Sequence, residues 1–311
     1  MKIKKKILIK YLKKIYLIRF TEEEISNKYI EKKMRCPIHL SIGQEIPSAA
    51  LNIILKKSDY AISYHRAHAH YLAKDGSLKK MISELYGKKT GCSSGYGGSM
   101  HLIDKSKNFI GSTAIVSSSI PIGVGFAYSF KKNSKKRVCI YLGDASCEEG
   151  VFFETLNFVV LKNLPIIFFC ENNNYSVYSD MSVRQPKNRK LYKLASAFGI
   201  KSYKLSASNP IKFYLDLEKI VKNNFKPIFI EVSTYRYLEH CGPNNDDNLN
   251  YRTQKEIAYW KKKCPIENYK KKLLKQKIIN KEYLDKINIK IDLEIKDSFK
   301  YAQESKFPQS S

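Results

Sequence analysis

Alternating apolar runs and polar breaks in the middle of the chain predict an α/β fold. Residues 138–142 and 165–170 are short runs rich in β-branched and aromatic residues, which is typical of buried strands. Between them, residues 149–163 repeat apolar positions at helical spacing. This order predicts a βαβ unit with parallel strands and a right-handed crossover.

The same pattern extends over most of the chain. Further strands are predicted at residues 60–64, 201–205 and 227–233, and helices at 44–57, 78–86, 119–130 and 210–223. We therefore expect one domain, residues 1–311, with a parallel sheet covered by helices on both faces. Residues 1–35 and 250–311 are expected to be helical N-terminal and C-terminal extensions.

Polar residues end the two central strands. Gly143, Asp144 and Ala145 close the first run, and Asn173 follows the second. Because parallel neighbouring strands end at one edge of a sheet, Asp144 and Asn173 should lie together where open α/β sheets bind ligands. Carboxylate and amide oxygens suit Mg²⁺, which shares its ligands with substrate phosphates. Taken alone, Asp144 would more often be a helix cap, so the metal interpretation depends on Asn173.

The stretch from Gly143 to Asn173 resembles the thiamine diphosphate motif, a GDG followed by NN. Its surroundings resemble the alpha subunit of the decarboxylating component of 2-oxo acid dehydrogenases, of the pyruvate, branched-chain and acetoin types. The other blocks that carry this resemblance are residues 39–45, 84–87, 97–102, 235–237, 251–253 and 307–308. They occur in family order over nearly the whole chain. The resemblance implies a thiamine diphosphate-binding, transketolase-like fold.

The resemblance also implies site residues. Mg²⁺ would be held by the side chains of Asp144 and Asn173 and by the main-chain carbonyl of Tyr175. His39 would face the reacting centre and stabilise or protonate the carbanion formed there, and His240 is the second catalytic candidate. The implied contacts to thiamine diphosphate are His65, Arg66, Val116, Gly143, Asp144, Ala145, Asn173 and His240. The glycine-rich residues 91–98 would be a shaped loop lining the site.

Several positions depart from the family pattern. Ala145 replaces the third motif residue, a glycine. His65 stands where many relatives have tyrosine, which makes the charge of this donor pH-dependent. Glu148 and Glu149 replace an amide pair common in pyruvate-specific members, and this leaves the substrate open.

The resemblance implies partners as well. In this branch the glutamate that activates the cofactor belongs to a separate beta subunit, so we expect an α2β2 heterotetramer, inactive without beta, with the cofactor at the interface. The leading interpretation is decarboxylation of a 2-oxo acid with acyl transfer to a lipoyl-bearing acyltransferase. One alternative is an acetoin dehydrogenase, or acyl transfer to a small or sugar-linked acceptor without a lipoyl partner. Another is a non-catalytic basic binding protein on the same fold.

Composition limits the other partners. The net charge is +27, which by itself suggests nucleic acid or an acidic surface. The lysines are dispersed at helical spacing without a recognition motif, so we expect no nucleic acid partner. Seven cysteines without a CxxC pair favour a reducing compartment, and we expect a cytoplasmic protein. No segment reaches transmembrane length, so no membrane partner is expected.

Overall fold

The structure is a computed structural model that describes residues 3–130 and 134–309. Residues 1, 2, 310 and 311 of the predicted extensions lie outside the described residues. The strands are β1 Tyr60–Ser63, β2 Phe109–Ser112, β3 Val138–Gly143, β4 Ile166–Asn172, β5 Tyr175–Ser176, β6 Ser179–Asp180, β7 Lys201–Ser206 and β8 Ile228–Ser233. The helices are α1 Lys5–Tyr29, α2 Glu45–Ile54, α3 His68–Ala73, α4 Leu78–Leu85, α5 Ser119–Tyr128, α6 Gly150–Lys162, α7 Met181–Arg184, α8 Leu191–Ala197, α9 Pro210–Val221, α10 Gln254–Lys262, α11 Pro265–Lys275 and α12 Lys281–Glu304.

Six strands form one parallel sheet in the order β2-β1-β3-β4-β8-β7, and β5 and β6 form a separate hairpin. The predicted βαβ unit is confirmed: β3 pairs with β4 in parallel, with Gly143 opposite Glu171, and α6 connects them. In this sheet β2 lies on one side of β1, and β3 lies on the other. The connections after β1 and β3 therefore diverge, which leaves a crevice at their carboxyl ends.

Alternate residues of the central strands enter two different cores. Tyr141 and Phe169 belong to a large core together with α1, α2, α4, α9 and α12. Ile140 and Phe168 belong to a smaller core with α5, α6 and α8. Because side chains alternate across a strand, the sheet is buried on both faces. This confirms the predicted α/β class with helices on both faces.

The terminal helices also pack on the large core. Tyr11 of α1 is fully buried and donates a hydrogen bond to the carbonyl of Ile46 at 3.0 Å. On α12, Ile295 and Phe299 are buried at positions one helical turn apart. No helix among residues 3–130 and 134–309 is long and apolar enough to cross a membrane.

Six elements between residues 36 and 240 were not predicted: β2, β5, β6, α3, α7 and α8. Strand β2 buries only Phe109 and is otherwise half-buried, so it lacks a continuous apolar run. Helices α3 and α8 span six and seven residues, too short for a helical period to repeat clearly. Their conformations are fixed by the packing around them.

Candidate active site

Four strand ends meet at the carboxyl edge of the sheet. His65 and Arg66 follow β1, Asp144 follows β3, and Asn173 follows β4. The connection after β8 leads to His240, and the Thr234 N–H donates to the carbonyl of Asn172 at 2.9 Å. Since these strands are parallel neighbours, the sheet brings residues from widely separated parts of the chain to one edge.

Asp144 is a buried carboxylate at the end of β3. It begins a 3₁₀ turn, and only 2% of its surface is exposed. Burial raises the pKa of Asp144 to about 6, while the Arg184 guanidinium, 2.6 Å from Oδ2, opposes that rise. Asp144 is therefore mostly ionised at neutral pH. A Cβ on Gly143 would meet no atom within 4 Å, so there is room for a ligand beside that backbone.

The end of β4 supplies further oxygen atoms. The Asn173 Oδ1 accepts the Tyr175 N–H at 3.0 Å and keeps a second lone pair, while its Nδ2 donates to Gln44 Oε1 at 3.2 Å. The Tyr175 hydroxyl donates to Glu256 at 2.8 Å, which leaves the main-chain carbonyl as the oxygen that Tyr175 can offer to a metal. Carboxylate, amide and carbonyl oxygens are the donor set that Mg²⁺ prefers.

Arg66 is a buried cation that forms no salt bridge with any described residue. Its side chain is 2% exposed and donates to the carbonyls of Leu40 at 2.6 Å and His240 at 3.1 Å. Within the described part of the chain, no carboxylate forms a salt bridge with it. Burial and then the nearby Arg236 lower the pKa of Arg66 to about 10. An unpaired buried charge is costly, so the site favours an anionic ligand.

Three histidines surround Arg66. The ring centroid of His39 lies 4.7 Å from that of His65 and 5.2 Å from that of His240, and those of His65 and His240 are 5.3 Å apart. Burial, and next the charge of Arg66, lower the pKa of His39 to about 2 and those of His65 and His240 to about 3. All three imidazoles are therefore neutral at pH 7.

Such a cluster could hold either a metal ion or an anion. One nitrogen from each ring lies within 4.8 Å of the others, which is compatible with a transition metal. The positive charges of Arg66 and Arg236 oppose a divalent cation there and favour a phosphate. The Nδ1 of His39 is buried without a hydrogen-bond partner, as expected for a group that faces a ligand. These residues fit a diphosphate better than a metal.

Val116 reaches the same edge from a turn before α5. Ser117 adopts a left-handed conformation with φ 67°, and its hydroxyl donates to the carbonyl of Ser146 at 3.0 Å. This bond links the turn to the Asp144 turn. Val116 itself is exposed, and Ala145 is half-buried.

Two supporting residues had no separate role in the sequence analysis. Glu171, buried in β4, accepts hydrogen bonds from Tyr64 at 2.9 Å and pairs with His70 at 3.0 Å, which fixes the chain beside His65. Its signal in the sequence was a carboxylate directly after the apolar run 165–170. Arg184 is forty positions from Asp144, and no local pattern relates the two residues.

The fold and this edge define a class, an α/β protein whose topological switch point carries residues compatible with an anion and a metal ion. The family model of the dehydrogenase E1 component matches residues 13–311. The chain therefore belongs to the dehydrogenase E1 component family and is an oxidoreductase of the alpha-subunit type.

Named relatives cover almost the same length. The pyruvate dehydrogenase E1 component subunit alpha of Rickettsia typhi is 34% identical over 304 residues, covering 96% of this chain and 92% of the relative. That of Rickettsia bellii is 32% identical with the same coverage. The chloroplastic subunit alpha-3 of Arabidopsis thaliana is 33% identical, covering 94% of this chain and 70% of the relative.

Proposed function

We propose that this protein is the alpha subunit of a thiamine diphosphate- and Mg²⁺-dependent 2-oxo acid dehydrogenase. The observation that carries the proposal is Arg66, which lies among three neutral imidazoles at the edge that also holds Asp144 and Asn173. It is buried and forms no salt bridge among residues 3–130 and 134–309. A diphosphate would supply the missing negative charge, and a divalent ion would join it to the oxygen donors.

Each side chain then has a separate task. Asp144 and Asn173 would bind Mg²⁺ through their side chains and Tyr175 through its carbonyl. Arg66, His65 and His240 would donate hydrogen bonds to the diphosphate. Backbone at Val116, Gly143 and Ala145 would contact the rest of the cofactor. When bound, thiamine diphosphate supplies the electron sink for decarboxylation.

His39 would serve the reacting centre. Its imidazole is neutral because burial lowers its pKa to about 2. Its Nδ1 makes no hydrogen bond to another described residue, so this nitrogen would be available to exchange a proton with a bound substrate. The ring centroid of His240 is 5.2 Å from that of His39. His240 would contribute to catalysis by holding the negatively charged diphosphate next to His39.

A beta subunit would complete the site in an α2β2 assembly. Ile115, Val116, Ile122 and Tyr128 are exposed large apolar residues on α5 and the turn before it, next to the cofactor edge. Such a patch is typical of a surface covered by a partner. The beta subunit would supply the activating glutamate, and a lipoyl-bearing acyltransferase would accept the acyl group. We place the complex in the cytoplasm.

The decisive experiment changes one ligand. The protein is coexpressed with its beta partner, and calorimetry measures thiamine diphosphate binding with Mg²⁺, beside 2-oxo acid-dependent reduction of a dye. Asp144→Asn should weaken Mg²⁺ binding by at least about 100-fold and should abolish dye reduction. Changing a residue that only hydrogen-bonds to a metal ligand already lowers metal affinity by about 10–100-fold.

The matched control is Asp285→Asn, an exposed aspartate on α12, which should change neither quantity. Equal cofactor binding in the Asp144→Asn and wild-type complexes would refute the ligand assignment. Pyruvate is the first substrate to test, because the relatives are named for it. Acylation of a lipoyl domain separates the dehydrogenase from acyl transfer without a lipoyl partner.

A further inference from the structure

Arg184 stands on the acidic side of the proposed metal site. Its guanidinium forms a 2.6 Å ion pair with Asp144 Oδ2 and a second, shorter one with Glu148. The same nitrogen that reaches Asp144 also lies 3.4 Å from the carbonyl of Asn174, next to Asn173 and Tyr175. An arginine charge is thus placed against the carboxylate that the proposed function assigns to Mg²⁺.

Arg184 and a divalent cation would compete for this place. Both need the charge of Asp144, and two cations close together in a buried site repel each other strongly. The Arg184 side chain is only 11% exposed and that of Asp144 only 3%, so solvent screens this repulsion weakly. Binding of the ion therefore favours a conformation in which the guanidinium is farther from Asp144.

The surrounding chain gives Arg184 another position. Glu148 is more exposed than Asp144, with 28% of its side chain accessible, and it also accepts Gln185 at 2.9 Å. Arg184 could keep this outer partner after leaving Asp144. On the same short helix α7, no residue is fully buried and Val183 is 77% exposed. Only the partly buried Met181 packs on the smaller core and would oppose a shift of the segment.

We propose that Arg184 is a tethered cation which occupies the magnesium position of the cofactor-free protein and is displaced from Asp144 when the metal and diphosphate bind. This inference rests on the proposed function and adds a regulatory residue to it. Arg184 bridges Asp144 and Glu148, offsets one of their two negative charges, and couples cofactor binding to the position of residues 179–185.

The test measures Mg²⁺ affinity in the complex with beta at saturating thiamine diphosphate, by calorimetry. Arg184→Gln removes the competing charge and should tighten Mg²⁺ binding about tenfold, equivalent to about 1.4 kcal/mol. Arg184→Lys keeps the charge but replaces the planar fork of donors by a compact ammonium on a shorter side chain. Its Mg²⁺ affinity should lie between those of Arg184→Gln and wild type. Arg189→Gln removes an exposed arginine nearby and should leave the affinity unchanged.

Hydrogen exchange of residues 174–189 gives a readout independent of affinity. In the wild type, adding Mg²⁺ and thiamine diphosphate should change the exchange of this segment. In Arg184→Gln the segment should exchange faster already without ligand. Unchanged or weaker Mg²⁺ binding in Arg184→Gln would overturn the inference while leaving the proposed function in place. A wild-type complex that binds neither Mg²⁺ nor thiamine diphosphate would instead overturn the proposed function, and the inference with it.

Discussion

The three imidazoles beside Arg66 link folding to pH. In the folded chain, burial and then the charge of Arg66 lower the pKa of His39 to about 2 and those of His65 and His240 to about 3. In the unfolded chain, a histidine has a pKa of about 6.5. Below that pH the unfolded chain binds protons that the folded chain excludes. The stability that these groups contribute is present above about pH 6.5 and is lost as the pH falls.

We therefore expect the free energy of unfolding of the ligand-free protein to decrease between pH 7 and pH 5. His65→Tyr removes one of the three imidazoles. The free energy of unfolding should then change less steeply with pH, by up to about 1.4 kcal/mol per pH unit. Urea titrations at several pH values measure it. Ile289→Ala, at an exposed position and without a titratable side chain, is the control with an unchanged pH dependence. An equal pH dependence of the free energy of unfolding in His65→Tyr and wild type would contradict the proposed link between folding and the protonation of His65.

Individual residues were predictable where they belong to a motif. The strand ends and the family pattern together pointed to Asp144, Asn173, His65 and Arg66, and the structure brings their chain segments to one edge. The sequence did not show that Arg66 has no carboxylate partner within the described chain, or that Arg184 contacts Asp144. Both facts depend on which distant side chains become neighbours, forty positions apart in the case of Arg184.

At the scale of elements, the glycine-rich loop is organised by one buried glutamate. Glu84 at the end of α4 is fully buried. Its Oε2 accepts the N–H groups of Ser93 at 2.7 Å and Gly95 at 3.0 Å, and its Oε1 accepts those of Gly97 at 2.6 Å and Gly98 at 3.3 Å. These backbone donors are satisfied internally, so the loop is shaped by the protein and its N–H groups are not a phosphate cradle.

Glu84→Gln replaces one acceptor oxygen with a donor and leaves two loop N–H groups facing an NH₂ group. Because bonds to a charged group contribute about 1.5–3 kcal/mol each, we expect a loss of about 3 kcal/mol in the free energy of unfolding. Hydrogen exchange should become faster in residues 91–98. Glu154→Gln, at an exposed position on α6, should change neither quantity. Unaltered exchange in the loop of Glu84→Gln would show that Glu84 does not hold it.

At the scale of the whole molecule, the chain ends share the large core. Residues 1–35 and 250–311 were expected to be helical extensions, and α1 and α12 both contribute buried residues to the core that also includes β3 and β4. Phe299 of α12 is 2% exposed and packs against Tyr86, with 6.1 Å between ring centroids. We therefore predict that α12 unfolds together with the sheet.

Phe299→Ala should lower the free energy of unfolding by about 3–4 kcal/mol, because it removes a large buried side chain and leaves a cavity. Denaturation followed separately by fluorescence and by circular dichroism should still give one coincident transition. Leu293→Ala on the same helix removes a side chain that is 60% exposed and should cost less than about 0.5 kcal/mol. Two separate transitions in the wild type would show that the C-terminal helices are an independent unit.

The sequence by itself determined the parallel α/β sheet, the crossover helix α6 and the strand ends that carry Asp144 and Asn173. These features follow from local periodicity and from the geometry of parallel strands, and neither requires knowledge of distant contacts. Only the tertiary structure decided the burial of Arg66 with no salt bridge to any described residue, the convergence of His39, His65 and His240, and the pairing of Arg184 with Asp144. Such properties arise when separate segments exclude water from the same space, so no local pattern encodes them.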